Sequence, residues 1–268
     1  MTNLRDLTIV IKGAGEMASG VAWRLYMANL RRILMLDIAA PLAVRRAVSF
    51  CEALHAGSYS VEGVSAEKVA AVDEVYASWE RGRIAVAADP QWHLLEQTSP
   101  QVVVDAILAK KNLGTRLNEA ELVIALGPGF YAGDDVHMVI ETNRGHDLGR
   151  VITSGTAQPN TGTPGSIAGY TQERVLRAPA AGQFVATKAI GDIVGVNETI
   201  GTIADLKVCS QIDGVVRGLI RSGVPVTQGL KIGDVDPRGQ LKYCDTISEK
   251  ARAIGGSVLE AVLRVFNQ

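Results

Sequence analysis

The residues whose types and spacing best suit chemistry are small ones. Gly13-Ala14-Gly15-Glu16-Met17-Ala18 follow directly on the β-branched run Thr8 to Lys12 and precede the helical pattern Val21, Leu25, Ala28. Strand, tight turn and helix is the reading. Gly13 lets the chain turn sharply, Gly15 lets backbone N–H groups approach a diphosphate, and Ala18 lets helix and strand pack closely. The helix amino terminus adds partial positive charge. A glycine pattern of this kind is weak alone, but Ile33-Leu34-Met35-Leu36-Asp37 follows as a second strand ending in an acid. Its spacing, about 20 residues, suits a carboxylate that accepts hydrogen bonds from ribose hydroxyls. The bland role for Asp37 is capping a helix that starts near Pro41. On that helix Arg45 and Arg46 read as a solvated face, with phosphate contact as the sharper alternative.

A second group of polar residues lies between Glu121 and Gly165, where closely spaced short strands alternate with glycine loops. Gly127 and Gly129, and then Asn160, Thr161 and Gly162, can present bare backbone to an anion or simply make turns. In a strand, His137 and Glu141 share one face, which predicts a paired acid and base. Asn143, Arg144 and His146 form a loop suited to phosphate or carboxylate. The His-Glu pair has no third ligand at metal-site spacing, so no metal is predicted. There is no GxSxG elbow and no Walker loop, which argues against hydrolase and P-loop chemistry.

These residues need elements to hold them. An amphipathic helix over residues 67–80, a strand over 83–88, a helix after Asp89-Pro90 and a strand over 101–107 continue the alternation of strand and helix. The fold class predicted is α/β: a Rossmann-like, doubly wound parallel sheet whose ligand lies at the carboxyl ends of the strands. Residues 178–203 and 210–235 then superpose without a gap at an offset of 32, matching Gly182 to Gly214, Gly191 to Gly223 and Gly201 to Gly233. A glycine-punctuated duplication of this kind predicts a small pseudo-symmetric β domain resembling the barrel-sandwich hybrid of biotinyl and lipoyl domains. Lys207 lies at the junction of the copies, but the Ala-Met-Lys-Met setting of a swinging-arm lysine is missing, which favours a packing or docking module. The domain reading is 1–120 for nucleotide binding, 121–174 completing the site, 175–240 for the duplicated domain, and 241–268 for a closing helix with the stripe Val258, Leu259, Val262, Val265, Phe266.

Composition bounds the partners. The 268 residues are 47% hydrophobic and 21% charged with a formal net charge of −1, enough apolar material for two cores and no basic or acidic bias. That excludes a general nucleic-acid or membrane-surface binder. No apolar run approaches 18 residues, and the opening residues run straight into a strand, unlike a signal peptide, so the expectation is a cytoplasmic protein. Cys51, Cys209 and Cys244 are widely separated and read as reduced, packed thiols.

The blocks GAGEMASGVAWRL, PLAVRR, VEGV, ALGPGF with AGDDVH, VIETNRGH with LGRVI, NTGTPGSI, IDGVVRGLI and KIGDVDPR resemble the YqeB family, accessory proteins of selenium-dependent molybdenum hydroxylase systems, over nearly the whole chain. The resemblance extends to the Rossmann domain of XdhC-type insertion factors. It implies a maturation factor that handles molybdopterin cytosine dinucleotide or the selenium ligand of the metal and meets a molybdenum hydroxylase subunit. NAD(P) carries the same diphosphate and ribose, so an NAD(P)-dependent oxidoreductase using His137 and Glu141, and a non-catalytic nucleotide-binding docking protein, stay open beside it. A homodimer is the default expectation.

Overall fold

The computed structural model describes residues 3–267. Its strands are β1 (Thr8–Lys12), β2 (Arg32–Asp37), β3 (Ser58–Val61), β4 (Val64–Val69), β5 (Ile84–Ala88), β6 (Val102–Asp105), β7 (Leu122–Leu126), β8 (Met138–Ile140), β9 (Val151–Ile152), β10 (Val175–Arg177), β11 (Gly182–Ala186), β12 (Ile193–Val194), β13 (Thr199–Ile203), β14 (Leu206–Cys209), β15 (Gly214–Leu219), β16 (Pro225–Val226) and β17 (Lys231–Asp236). The helices are α1 (Glu16–Met27), α2 (Ala53–Ala56), α3 (Val72–Glu80), α4 (His93–Thr98), α5 (Lys242–Asp245) and α6 (Glu249–Phe266). Two compact units contain them, one of Met1–Pro41, Phe50–Asn160 and Ile247–Gln268, the other of Leu42–Ser49 and Thr161–Thr246.

The first unit is α/β. Its sheet runs β3-β4-β5-β2-β1-β6-β7-β8-β9, with parallel pairing from β4 through β8 and an antiparallel strand at each edge. The inner strands TIVIK, RILMLD, VVVD and LVIAL are almost wholly buried because helices cover both faces. Alternation sends Val10, Leu34, Leu36, Val103 and Val123 to one face, where Val75 of α3 and Leu94 and Leu95 of α4 complete the core. Ile9, Ile11, Ile33 and Met35 point the other way and are equally buried, on the opposite face of the sheet. There α6 packs on α1 and reaches β7 and β8. Strand order reverses at β1: β2 lies on one side, and the chain returns from β5 to lay β6 on the other. The carboxyl ends of β1 and β6 therefore meet where the strand order reverses.

The sheet continues past residue 120, since β7 and β8 extend the parallel ladder and β9 closes it. The helix predicted over 67–80 is a strand and a helix instead. Residues 64–69 form β4, paired with both β3 and β5, and only Val72 onward is helical. A valine-rich amphipathic run satisfies either period, and the open edge of β5 decides in favour of the strand. Nor does a helix start at Pro41: Arg45 is buried in the second unit, donating to the carbonyls of Tyr243 at 2.8 Å and Thr246 at 3.1 Å, and Arg46 Nε donates to Leu219 O at 2.8 Å.

In the second unit the repeat is visible as structure. The copies β11-β12-β13 and β15-β16-β17 occupy matching positions, and two antiparallel four-stranded sheets form, β10-β17-β15-β12 and β14-β13-β11-β16. The short strands are exchanged: β12 pairs with β15 of the other copy, and β16 with β11. Gly191 and Gly223 both turn at positive φ, 100° and 89°. Gly201 and Gly233 are both crowded, a Cβ at Gly201 falling 2.5 Å from Val185 O and one at Gly233 2.6 Å from Leu176 Cδ1. Phe184, Ile200, Ile203, Val216, Ile232 and Val235 fill the core between the sheets.

Candidate functional site

At the carboxyl end of β1 the chain reverses through Gly13, whose φ of +96° strains any residue with a Cβ. Gly13 also yields space to its own chain, for a Cβ there would lie 3.1 Å from Ala106 O and 3.3 Å from Ile107 Cα. Its N–H donates to Leu36 O at 2.6 Å. The next N–H, of Ala14, donates to Asp37 Oδ2 at 2.7 Å, and Ile38 N–H donates to Asp37 Oδ1 at 2.8 Å. The Asp37 carboxylate thus ties the end of β2 to the turn after β1. Burial raises its pKa above the ordinary value, and the two N–H groups pull it back down. Each oxygen keeps a lone pair, since a carboxylate offers about four acceptor sites.

Ala14 O accepts from Ser19 Oγ at 3.1 Å and from Cys51 N–H at 3.0 Å, so the turn is fastened from below. Gly15 faces open space, with no atom within 4 Å of the position a Cβ would take, and it caps α1 in extended conformation. Glu16 accepts a hydrogen bond from Ser248 Oγ at 2.9 Å, while Met17 and Ala18 are buried in packing. Of the residues read as ligand-binding in this motif, Gly15 and Asp37 lie at the accessible side, and Gly13, Met17 and Ala18 serve the fold.

Beside the turn sits a cluster that the sequence reading misses. Lys12, fully buried, donates from Nζ to Thr115 Oγ1 at 2.9 Å and to Glu119 Oε2 at 2.7 Å, and lies 3.6 Å from the centre of the Trp92 ring. Thr115 Oγ1 donates in turn to Asp105 Oδ2 at 2.7 Å. Lys12 and Asp105 are cross-strand partners at the ends of β1 and β6. Burial lowers the Lys12 pKa against the opposing pull of Glu119 and Asp105, and burial raises the Asp105 pKa against Thr115, Ile107 N–H and Lys12. The one legible signal was Asp105, a second strand-end acid; the buried ammonium looks like an ordinary strand end in the sequence TIVIK.

The other predicted residues separate. His137 Nδ1 accepts Val123 N–H at 2.9 Å before β8, whereas Glu141, after β8, accepts Asn143 N–H and Gln158 N–H at 2.7 Å each. Four strand residues span about 13 Å. Among the described residues no hydrogen bond joins the pair, so the acid–base couple read from their shared face does not assemble. Glu141 borders a cavity of about 390 Å3 with Asp147, Arg150, Thr153, Ser154 and Gln158. Asn143 Nδ2 donates to Gln158 Oε1 at 2.7 Å, Arg144 is ion-paired with Glu249, and His146 is exposed. Gly127 lies where a Cβ would meet Thr142 Oγ1 at 2.5 Å, and Gly129 where it would meet Lys111 N at 2.6 Å, so both make room for the chain. Asn160, Thr161 and Gly162 are exposed. Among the described residues no helix is long and apolar enough to cross a membrane.

No family model matches the chain. Solved structures with some likeness are a succinylglutamate desuccinylase/aspartoacylase from Rhodobacter sphaeroides (26% identical, TM-score 0.23, covering 32% of this chain and 30% of that one) and an aspartoacylase family protein from Mesorhizobium loti (10%, 0.26, 85% and 84%). A third is TcdA (CsdL) (12%, 0.33, 99% and 90%). Overlaps this loose say nothing about activity. A sequence relative is far nearer. The chain spans about half the length of the curated relative it matches, 97% of this chain aligning with 48% of that protein. Over those 260 residues it is 50% identical to "Uncharacterized protein YqeB" of Escherichia coli (strain K12), which supports the YqeB-family resemblance carried by its motifs.

Proposed function

We propose that the α/β unit is a Rossmann-like site for a dinucleotide-type ligand, and that the protein acts as an accessory or maturation factor for a selenium-dependent molybdenum hydroxylase. The observation that carries the binding reading is the turn itself: Gly15 is open beside the amino terminus of a 12-residue helix, and Asp37 is hydrogen-bonded to the same turn. Backbone N–H groups there fit a diphosphate and the carboxylate fits a ribose. Molybdopterin cytosine dinucleotide has both groups, and the family resemblance selects it. In this reading the second unit, a barrel-sandwich hybrid-like pair of sheets, is a docking module for the hydroxylase subunit. The competing NAD(P)-dependent oxidoreductase loses support because His137 and Glu141 stand apart.

Thermal unfolding with NAD, NADP, CTP and molybdopterin cytosine dinucleotide in parallel tests the reading. A ligand at one hundred times its Kd adds about 2.7 kcal/mol, which raises Tm by several degrees. The expected result is a shift with the cytosine-containing ligands. A shift with NAD alone overturns the maturation reading, and no shift with any of them overturns the nucleotide site.

A further inference from the structure

We infer that Lys110 and Lys111 form the cationic clamp for the diphosphate of the ligand, an inference that rests on the nucleotide reading above. The connection from β6 to β7 crosses the carboxyl edge of the sheet as a strap seated on two glycines. At one end Ala106 and Ile107 lie against Gly13, and further on the backbone of Lys110 and Lys111 lies against Gly129, 2.6–2.8 Å from the place of its absent Cβ. The strap thus spans from the turn after β1 to the loop after β7, with β6 between them.

Its far side is anchored independently. Asn112 Oδ1 accepts the N–H groups of Gly114 and Thr115, and Thr115 and Glu119 are held by Lys12. Between the anchors, Leu108 and Lys110 adopt left-handed conformations, φ 60° and 63°, that a non-glycine residue takes only where its surroundings hold it. The chain therefore fixes Lys110, at the β7 end of the strap, against its own backbone preference.

Charge at this edge gives the dipeptide its use. Asp37 and Asp105 place two carboxyl groups beside the turn, so a diphosphate needs cations there. Three other cations of this region are committed, Lys12 to Glu119, Arg144 to Glu249 and Arg150 to Asp147, whereas Arg116, further along the same connection, is exposed. Lys110 and Lys111 are exposed, and among the described residues neither has a hydrogen-bond or ion-pair partner. Among the described residues their charge, like that of Arg116 on the same connection, is matched by no carboxylate.

The test is calorimetric titration of the full chain with ADP, CDP and inorganic pyrophosphate, using adenosine and cytidine as uncharged controls, at low and moderate salt. The wild-type protein is expected to bind at least one nucleoside diphosphate more tightly than its nucleoside. The double variant Lys110→Met/Lys111→Met should lose about tenfold or more of that diphosphate affinity and much of its salt dependence, with nucleoside affinity unchanged. Lys110→Arg/Lys111→Arg should retain it. A methionine variant that keeps the wild-type Tm and binds the diphosphate equally well overturns the clamp and leaves the nucleotide reading standing. A wild-type protein that binds none of these ligands overturns both.

Discussion

Ala14 and Asp37, 23 residues apart in sequence, are joined by a 2.7 Å hydrogen bond from the Ala14 N–H to the Asp37 carboxylate. This bond couples the glycine turn to the acid beside it, so the two halves of the proposed site are not independent.

Asp37→Ala should cost about 1.5–3 kcal/mol, the worth of a hydrogen bond to a charged group, and should weaken nucleotide binding by more than its loss of a ribose contact accounts for, because the turn loosens as well. Asp37→Asn keeps one acceptor and should retain most of the stability. Urea unfolding and ligand titration of both variants check this; equal stability of Asp37→Ala and wild type would remove the turn-setting role.

Lys12 should be intolerant of substitution although it is nowhere near the surface. Lys12→Met leaves Glu119 and Asp105 without their cation and should destabilise by about 3–5 kcal/mol, the range for breaking a buried pair. The double variant Lys12→Met/Glu119→Leu should recover part of that loss, because the partner charge goes too. A double-variant cycle read by denaturant unfolding measures the coupling.

Two aspartates should respond to acid in opposite senses. Burial holds the folded Asp105 pKa above 3.8, so between 3.8 and that value the folded state carries more protons than the unfolded state, and the stability Asp105 contributes falls as pH rises through the window. For Asp236, burial is outweighed by the Arg238 hydrogen bonds and the nearby Arg217, and the folded pKa lies below 3.8. Its contribution is complete above 3.8 and is lost as pH falls through the folded value. Stability against pH for wild type, Asp105→Asn and Asp236→Asn should show these two slopes, and slopes of the same sign would contradict the assignment.

Neighbouring glycines of α6 should behave differently. A Cβ on Gly255 would lie 2.8 Å from Gly20 O of α1, whereas one on Gly256 meets nothing within 4 Å. Gly255→Ala should therefore cost about 1–3 kcal/mol by forcing the two helices apart. Gly256→Ala should stabilise by about 0.5–1 kcal/mol through helix propensity. Thermal unfolding of the pair separates packing from propensity.

Much of this protein is legible in its sequence. The strand, turn and helix from Thr8 to Met27, the strand ending in Asp37, the repeat at an offset of 32 and the carboxyl-terminal helix all follow from local patterns, because hydrophobic period and glycine placement are properties of neighbouring residues. Period alone leaves residues 64–80 ambiguous, and only the open edge of β5 makes β4 a strand. Tertiary structure also decides which polar groups meet. A shared strand face cannot tell that His137 and Glu141 find different partners, and no spacing rule connects Lys12 with Thr115 and Glu119 of the β6–β7 connection and Trp92 of the β5–α4 connection. Burial and crossover geometry are set by the whole sheet, so the groups gathered where its strand order reverses become known only once the chain has closed around them.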